Sequence, residues 1–137
     1  MIEIRKAQIK DKSYFDVKKS QIPSEELKKK IEDGMIYVAL TDGKIVGWLR
    51  YGLFWDQIPF MNHLFFIEDF RRSGYGTKLV TFWEKEMYEK GYKLAMTSTQ
   101  ADEEAQHFYR KLGYKDIGGF TFPEQPLELV MLKILGE

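Results

Sequence analysis

The stretch Arg71-Arg72-Ser73-Gly74-Tyr75-Gly76 constrains this chain more than any other. It lies between an apolar run, Phe60 to Ile67, and an amphipathic helix pattern that begins near Thr77. A strand must therefore enter a tight loop with two glycines and two arginines, and a helix must leave it. The first turn of a helix carries backbone N–H groups without intrahelical partners, and the helix dipole adds partial positive charge there. Glycines let the backbone approach a ligand closely, and arginines supply charge. The pattern predicts a cradle for an anion, phosphate above all.

The chain as a whole reads as one domain of 137 residues, with 44% hydrophobic and 31% charged residues, enough to bury a core and stay in solution. With 21 basic and 21 acidic residues the formal net charge is zero, which speaks against general nucleic-acid binding. The absence of cysteine excludes disulfides, thiolate catalysis and Cys-ligated zinc. His63 and His107 are far apart and form no metal-ligand pattern, so no metal site is expected. The opening MIEIRKAQIK is charged throughout, and no run approaches the roughly 18 apolar residues of a membrane span. A cytoplasmic protein with no membrane partner is the expectation.

Periodicity and turn chemistry place the elements. Met1 to Ala7 alternates as a short strand, and Asp11 to Lys19 reads as a first helix. Pro23-Ser24-Glu25-Glu26 is a helix start with Ser24 as cap, and that helix stops at Gly34. Met35 to Thr41 and Lys44 to Leu53 form a hairpin across Asp42-Gly43. Trp55 to Pro59 is an aromatic-rich connection, and Phe60 to Glu68 is the next strand. Leu79, Trp83 and Met87 mark a helix from about Gly74 to Lys90, closed by Gly91. Lys93 to Thr99 is a strand. Asp102 then caps a last helix whose stripe is Ala105, Phe108, Tyr109 and Leu112, closed by Gly113. Tyr114 to Phe120 and Leu127 to Ile134 are the final strands. The prediction is an α/β fold: a mixed, partly antiparallel sheet of six to seven strands flanked by about four helices.

Three glycine-loop chemistries compete for the opening segment. A Walker A loop needs G-x-x-x-x-G-K-[ST], but Gly76 is followed by Thr77-Lys78 and no glycine stands five residues earlier. A dinucleotide fingerprint needs G-x-G-x-x-G, and Leu79 stands where its third glycine belongs. What remains is R-x-x-G-x-G. Following a strand and opening a helix, it resembles the acetyl-coenzyme A signature of the GNAT superfamily of N-acetyltransferases. The segment Thr97 to Tyr114, with Phe108-Tyr109 and Leu112-Gly113-Tyr114, is similar to that family's later motif, in which a strand leads to a helix ending in F-Y-x-K-x-G-[FY]. The specific motifs cover roughly residues 60 to 120, and the element order agrees over nearly the whole chain.

The resemblance implies a single N-acetyltransferase domain over residues 1–137, with acetyl-CoA as acetyl donor. It implies that successive backbone N–H groups from Arg72 through Thr77, hence Ser73, Gly74, Tyr75 and Gly76, hold the cofactor pyrophosphate, with Arg71 and Arg72 adding charge. It implies backbone contacts from Leu64 and Phe66 to the pantetheine arm. Tyr109 takes the family's proton-donor position toward the departing thiolate; its other reading is a core aromatic at helical spacing. Asp102 departs from the asparagine common in relatives and has no amide donor to offer. No general base is evident: Phe60 and Asn62 alternate with Leu64 and Phe66 and neither is a base, and His63 points to the opposite face. Glu68, Glu128 and a water chain are the other candidates.

The acceptor expected from the resemblance is an amine, small molecule or peptide, attacking the thioester directly in a ternary complex. Trp48, Arg50, Tyr51, Trp55, Asp56 and Gln57, with the loop Phe120 to Gln125, are the expected acceptor region. Trp55, Asp56 and Asn62 are its candidate contacts, and aromatic walls with Asp56 or Glu124 suit a cationic amine. The alternatives are a non-catalytic acyl-CoA sensor or accessory module and an unrelated nucleotide-phosphate binder. Dimers are common among similar proteins, so a homodimer is an expectation the resemblance carries.

Overall fold

A computed structural model describes residues 1–17 and 22–136. Seven strands lie in the order β1-β2-β3-β4-β5-β7-β6: β1 Glu3–Lys6, β2 Ile36–Thr41, β3 Lys44–Phe54, β4 Ile58–Phe66, β5 Leu94–Gln100, β6 Lys115–Phe120 and β7 Glu128–Ile134. The described residues form four α-helices, α1 Lys12–Val17, α2 Ser24–Glu32, α3 Tyr75–Glu89 and α4 Ala105–Lys111. The sheet is mixed, with β4 parallel to β5 and the β1/β2, β2/β3, β5/β7 and β6/β7 pairs antiparallel. The predicted α/β class, strand count and element order are those observed. None of the described helices is long and apolar enough to cross a membrane.

By its internal packing the chain divides into two units, Met1–Tyr51 with His63–Val80, and Gly52–Asn62 with the chain from Thr81 onward. The first unit is built around β2, whose run Ile36 to Leu40 is buried on both faces. Such a continuous β-branched and apolar run suits a central strand. On one face Ile36, Val38, Leu40 and Trp48 pack with Phe15 of α1 and with Leu27 and Ile31 of α2. Leu27 and Ile31 are one helical turn apart, so α2 buries a single stripe and leaves its lysines and glutamates outside. Asp42 and Gly43 both adopt positive φ, 50° and 77°, as the two-residue hairpin requires.

The second unit centres on β5, paired along its whole length with β7 from Leu94↔Ile134 to Gln100↔Glu128. Its parallel register to β4 joins Phe60 to Met96 and Met61 to Thr97. Glu84 of α3 is buried and accepts hydrogen bonds from the Tyr114 hydroxyl, 2.7 Å, and from Lys133 Nζ on β7, 2.9 Å.

Several local expectations are corrected. Ser24 is not a cap: its hydroxyl accepts from Lys12 Nζ at 2.6 Å and donates to Asp16 at 3.4 Å, so a contact to α1 has claimed it. The first helix is α1, ending at Val17; the expected continuation through Lys18 and Lys19 lies outside the described residues. Asp102 does not cap α4, which begins three residues later. Glu103 takes over the local bonding, accepting from Gln100 N–H at 2.9 Å and from the Thr99 hydroxyl at 3.1 Å. The connection predicted from Trp55 to Pro59 is mostly strand and turn. Gln57 N–H closes on Phe54 C=O at 3.0 Å, with Trp55 and Asp56 at φ 55° and 59°. Pro59 has no N–H to give, and the register with β5 begins just after it.

Candidate active site

The loop that the glycines predicted is formed within the first unit. β4 ends at Phe66, a short 3-10 turn spans Glu68–Phe70, and α3 starts at Tyr75. Arg72 at φ 57° and Gly74 at φ 86° reverse the chain between them. A left-handed conformation costs a non-glycine residue about 1–2 kcal/mol, so Arg72 is held there by its surroundings. Those surroundings are specific: the Ser73 hydroxyl donates to Phe70 C=O at 2.8 Å, and Arg71 Nε donates to Phe66 C=O at 2.6 Å. The intrahelical ladder opens with Lys78 N–H to Gly74 C=O at 3.1 Å, so the amides of Ser73 to Gly76 precede it. Nothing lies within 4 Å of where a Gly74 side chain would begin. The cradle is open and positively polarised, which fits a pyrophosphate.

The two arginines, alike in sequence, do different things. Arg71 is tied into the loop through Phe66 C=O, Glu68 at 2.8 Å and the Phe65 ring, 5.1 Å from its guanidinium carbon. Arg72 is 79% exposed and reaches Glu68 only at 3.3 Å, an exposed pair of little strength. Of the two, Arg72 is the charge left toward solvent.

Phe66 is buried and Leu64 half-buried, on the β4 face where Phe66 meets the Tyr75 ring at 6.4 Å. Gly47 of β3 makes this possible. A side chain on Gly47 would come within 2.5 Å of the Phe66 ring and 2.8 Å of Phe65 C=O. A lone glycine inside a strand pattern was the available signal for such a close approach, and the motif reading passed over it. On the opposite face His63 and Phe65 pack against Trp48, with centroids 5.9 and 4.6 Å away. Trp48 Nε1 donates to His63 Nδ1 at 3.2 Å. Burial, reinforced by the Arg50 charge, holds His63 below the ordinary imidazole range. Glu68, another base candidate, is engaged by both loop arginines.

In the second unit Tyr109 is 7% exposed on α4. Its place follows from how the helix ends. Leu112 is the C-cap, Gly113 turns at φ 102°, Gly113 N–H bonds Arg110 C=O and Tyr114 N–H bonds Tyr109 C=O, both at 3.0 Å. This is a Schellman motif, in which the residue after the glycine packs on the residue five before it. Tyr114 accordingly meets Tyr109 edge-on at 6.0 Å, and Glu84 holds the Tyr114 hydroxyl. The spacing Y-x-x-x-G-Y is thus a capping geometry that fixes the Tyr109 ring. Burial pushes the Tyr109 phenol up to about 12, with hydrogen bonding to Thr97 pulling the other way and Glu103 adding to the rise. Thr97, 1% exposed on β5, donates to Met61 C=O at 3.0 Å. Sequence reading missed Thr97, because nothing in its neighbourhood marks it out from any other strand threonine.

Trp55, Asp56 and Asn62 do not converge. Trp55 is 73% exposed at the tip of the β3–β4 hairpin with Asp56 beside it, while Asn62 is exposed on the strand. At ~3.3 Å per residue Asn62 stands roughly 16 Å from that turn. Trp48 and Arg50 are buried on one face of β3, and Tyr51 is buried stacked on Tyr37 at 6.4 Å. Glu128 is half-buried in register with Gln100 and Phe120. Among the described residues no group of three or more His, Asp or Glu side chains is placed to hold a metal.

Known structures share this fold at low sequence identity. Ard1 from Thermoplasma volcanium superposes with a TM-score of 0.85 at 18% identity, covering 99% of each chain. The ribosomal-protein-S18-alanine N-acetyltransferase from Escherichia coli gives 0.80 at 13% identity, over 100% of this chain and 96% of that one. The PaiA N-acetyltransferase from Thermoplasma acidophilum, solved in complex with coenzyme A, gives 0.72 at 17% identity over 98% and 99%. No curated protein sequence matches the chain. The sequence profile of the Acetyltransferase (GNAT) family matches residues 3–114, a span that includes the glycine loop, Tyr109 and the turn to Tyr114. The chain therefore belongs to the GNAT family of acetyltransferases, enzymes that take their acetyl group from acetyl-CoA.

Proposed function

We propose that this protein, acting as a single cytoplasmic domain, transfers the acetyl group of acetyl-CoA to a primary amine by direct attack of the amine on the thioester. Ser73, Gly74, Tyr75, Gly76 and Thr77 supply backbone amides to the pyrophosphate, Arg72 adds charge, and Arg71 keeps the loop in shape. Leu64 and Phe66 offer backbone groups to the pantetheine arm. Most of the acceleration comes from holding amine and thioester together.

The observation that carries the reading is Tyr109, a phenol locked by the end of α4 and kept neutral well above pH 7. A neutral phenol donates a hydrogen bond to a thiolate as it departs. Complete proton transfer from a phenol near 12 to a thiol near 8.5 is uphill by about 3.5 units, or ~5 kcal/mol. Tyr109 therefore acts chiefly by donating a hydrogen bond to the developing negative charge. A bond to a charged partner is worth about 1.5–3 kcal/mol, or roughly 10- to 100-fold in rate. Tyr109→Phe is expected to lower kcat by that factor in a thiol-release assay and leave the calorimetric affinity for acetyl-CoA unchanged. An unchanged kcat would remove Tyr109 from the mechanism.

One observation favours a second reading, a non-catalytic acyl-CoA-binding module. His63 and Glu68, two of the base candidates, are both engaged, His63 by Trp48 and Glu68 by two arginines. The enzyme reading answers this with deprotonation through water. A binding module would take up acetyl-CoA and release no thiol with any amine.

A further inference from the structure

The two edges of the sheet are guarded very differently. β1 reads Glu-Ile-Arg-Lys, and its charges discourage another strand from pairing there. β6, the edge that belongs to the second unit, reads Lys-Asp-Ile-Gly-Gly-Phe and is exposed along all six residues. Its charges end at Asp116, which accepts from Arg110 at 2.9 Å. Beyond that point the guard is a bulge between Asp116 and Gly118. The large apolar side chains around it are uncovered: Ile117, Phe120, Phe122, Leu127 and Ile134 are between 43% and 54% exposed, and no other stretch of the described chain collects as many. Where α4 ends, a cavity of about 410 Å³ opens beside β6. Leu112, Ile117, Leu132 and Ile134 give it apolar walls, and Gly113 and Lys115 also line it. At roughly 200 Å² for a large side chain, five at half exposure leave about 500 Å² of apolar surface on one chain, or about 1,000 Å² on two copies. A stable interface needs about 1,200 Å² or more, and the strand edge with its polar rim supplies the remainder.

We propose that β6 is the contact of a homodimer, in which two copies lay their β6 strands side by side, antiparallel, about a two-fold axis between Ile117 and Gly118. The bulge sets the register. Lys115 and Phe120 oppose Leu132 and Glu128 of β7 and so share one face, whereas Asp116 and Gly119 oppose Met131 and Leu129 and share the other. An antiparallel partner keeps both faces matched when Lys115 meets the partner's Phe120 and Asp116 meets the partner's Gly119. Ile117 then lies against the partner's Gly118. Each bulky side chain meets a glycine or an aromatic ring, and no like charges meet, as Lys115 and Asp116 would in a parallel, in-register pair. The Lys115 stem lies along the partner's Phe120 ring with its ammonium toward water. Continued two residues past the strand, the same register brings the partner's Phe122 to Gly113 and the cavity. Gly113 is the turn that packs Tyr114 on Tyr109, so the second copy covers the outside of the support that fixes the Tyr109 ring. Phe120 and Phe122 then pack between chains and not around the acceptor. An unrelated extended peptide would satisfy the strand edge but would bring no matching aromatic pair to the cavity.

The test has two parts. In the first, sedimentation equilibrium of the full chain, over a concentration series reaching the high micromolar range, is expected to give twice the 16.2 kDa of one chain. Ile117→Glu sets a carboxylate from each copy at the axis and is expected to weaken association roughly a hundredfold or more. Ile9→Glu, at an exposed apolar site of the first unit, is the control and is expected to remain a dimer. The second part reads the register, and the absence of cysteine from the chain makes it clean. Lys115→Cys and Phe120→Cys are made as separate proteins. Opposite residues of an antiparallel pair stand about 4.5–5.5 Å apart, within disulfide reach, whereas Lys115 and its own copy would stand roughly 17 Å apart. Under mild oxidation the mixture is expected to give a covalent dimer, and neither protein alone is expected to do so. If Ile117→Glu does not fold by circular dichroism, the disulfide experiment decides alone. A wild-type monomer at every concentration, a dimer untouched by Ile117→Glu, or a mixture that forms no disulfide each overturns the proposal.

Discussion

Glu84 offers the sharpest test of what holds the second unit in shape. Its buried carboxylate accepts from the Tyr114 hydroxyl at 2.7 Å and from Lys133 Nζ at 2.9 Å. Burial raises the Tyr114 phenol far above its usual range, with the Glu84 charge adding to it, so the hydroxyl is a committed donor. Glu84→Ala removes both acceptors and strands that hydroxyl. A stranded buried polar group costs about 1–3 kcal/mol, and breaking a buried ion pair about 3–5 kcal/mol. Lys133 retains 22% side-chain exposure and can turn to water, which puts the total near the lower end, ~3–4 kcal/mol. Glu84→Gln keeps an acceptor for Tyr114 but loses the charge and the acceptor for Lys133, which can turn to water, and should cost ~1–2 kcal/mol. Urea unfolding followed by circular dichroism reads both, and the Glu84→Ala/Tyr114→Phe pair isolates the bond between them. The coupling should exceed ~1 kcal/mol, since the two groups are in direct contact. A Glu84→Ala loss below ~1 kcal/mol, or a coupling of zero, would refute the view that this network fixes Tyr114 and, through the end of α4, the Tyr109 ring.

Three further outcomes are expected. Gly47→Ala places a methyl against the Phe66 ring and Phe65 C=O and should cost ~1–3 kcal/mol by thermal unfolding, with weaker acetyl-CoA binding by calorimetry because Phe66 leads into the loop. Above pH 10 stability should fall: the unfolded chain ionises its tyrosines near 10, whereas Tyr109 keeps its proton to about 12, so its share, at most ~2.7 kcal/mol, is present below pH 10 and lost by pH 12. Tyr109→Phe should flatten that part of the pH–stability curve. Arg72→Ala should weaken acetyl-CoA binding in calorimetry by about tenfold with little change in stability, while Arg71→Ala should lower both, because only Arg71 is built into the loop.

The parts legible in the sequence were those set by local rules. Asp42-Gly43 states its own turn, Gly113 states the end of α4, and Leu79, Trp83 and Met87, all fully buried, state the inner face of α3. The glycine loop was legible because its residue types and its place between strand and helix agree. What escaped was decided by partners distant in sequence. Ser24 looks like a cap until Lys12 and Asp16 claim its hydroxyl. Arg71 and Arg72 look equivalent until Phe65 and Phe66 engage one of them. Trp55-Asp56 has none of the glycine or asparagine that a turn with two positive φ values favours, so its chemistry pointed to a looser connection. His63 carried the least readable information: its tautomer depends on an indole 15 residues earlier, on the neighbouring strand of the sheet.

Direct transfer to an amine is the centre of this account, and one measurement addresses it. The protein is incubated with acetyl-CoA, first alone and then with each amine of a panel that includes amino acids, their amides and short peptides. Released thiol, N-acetylated product and the mass of the intact protein are followed together. The account predicts thiol release that depends on the amine, one N-acetyl product for each thiol, and a protein mass unchanged by acetyl-CoA alone. An acetyl group retained on the protein, or acetyl-CoA bound with no amine-dependent release, would contradict it.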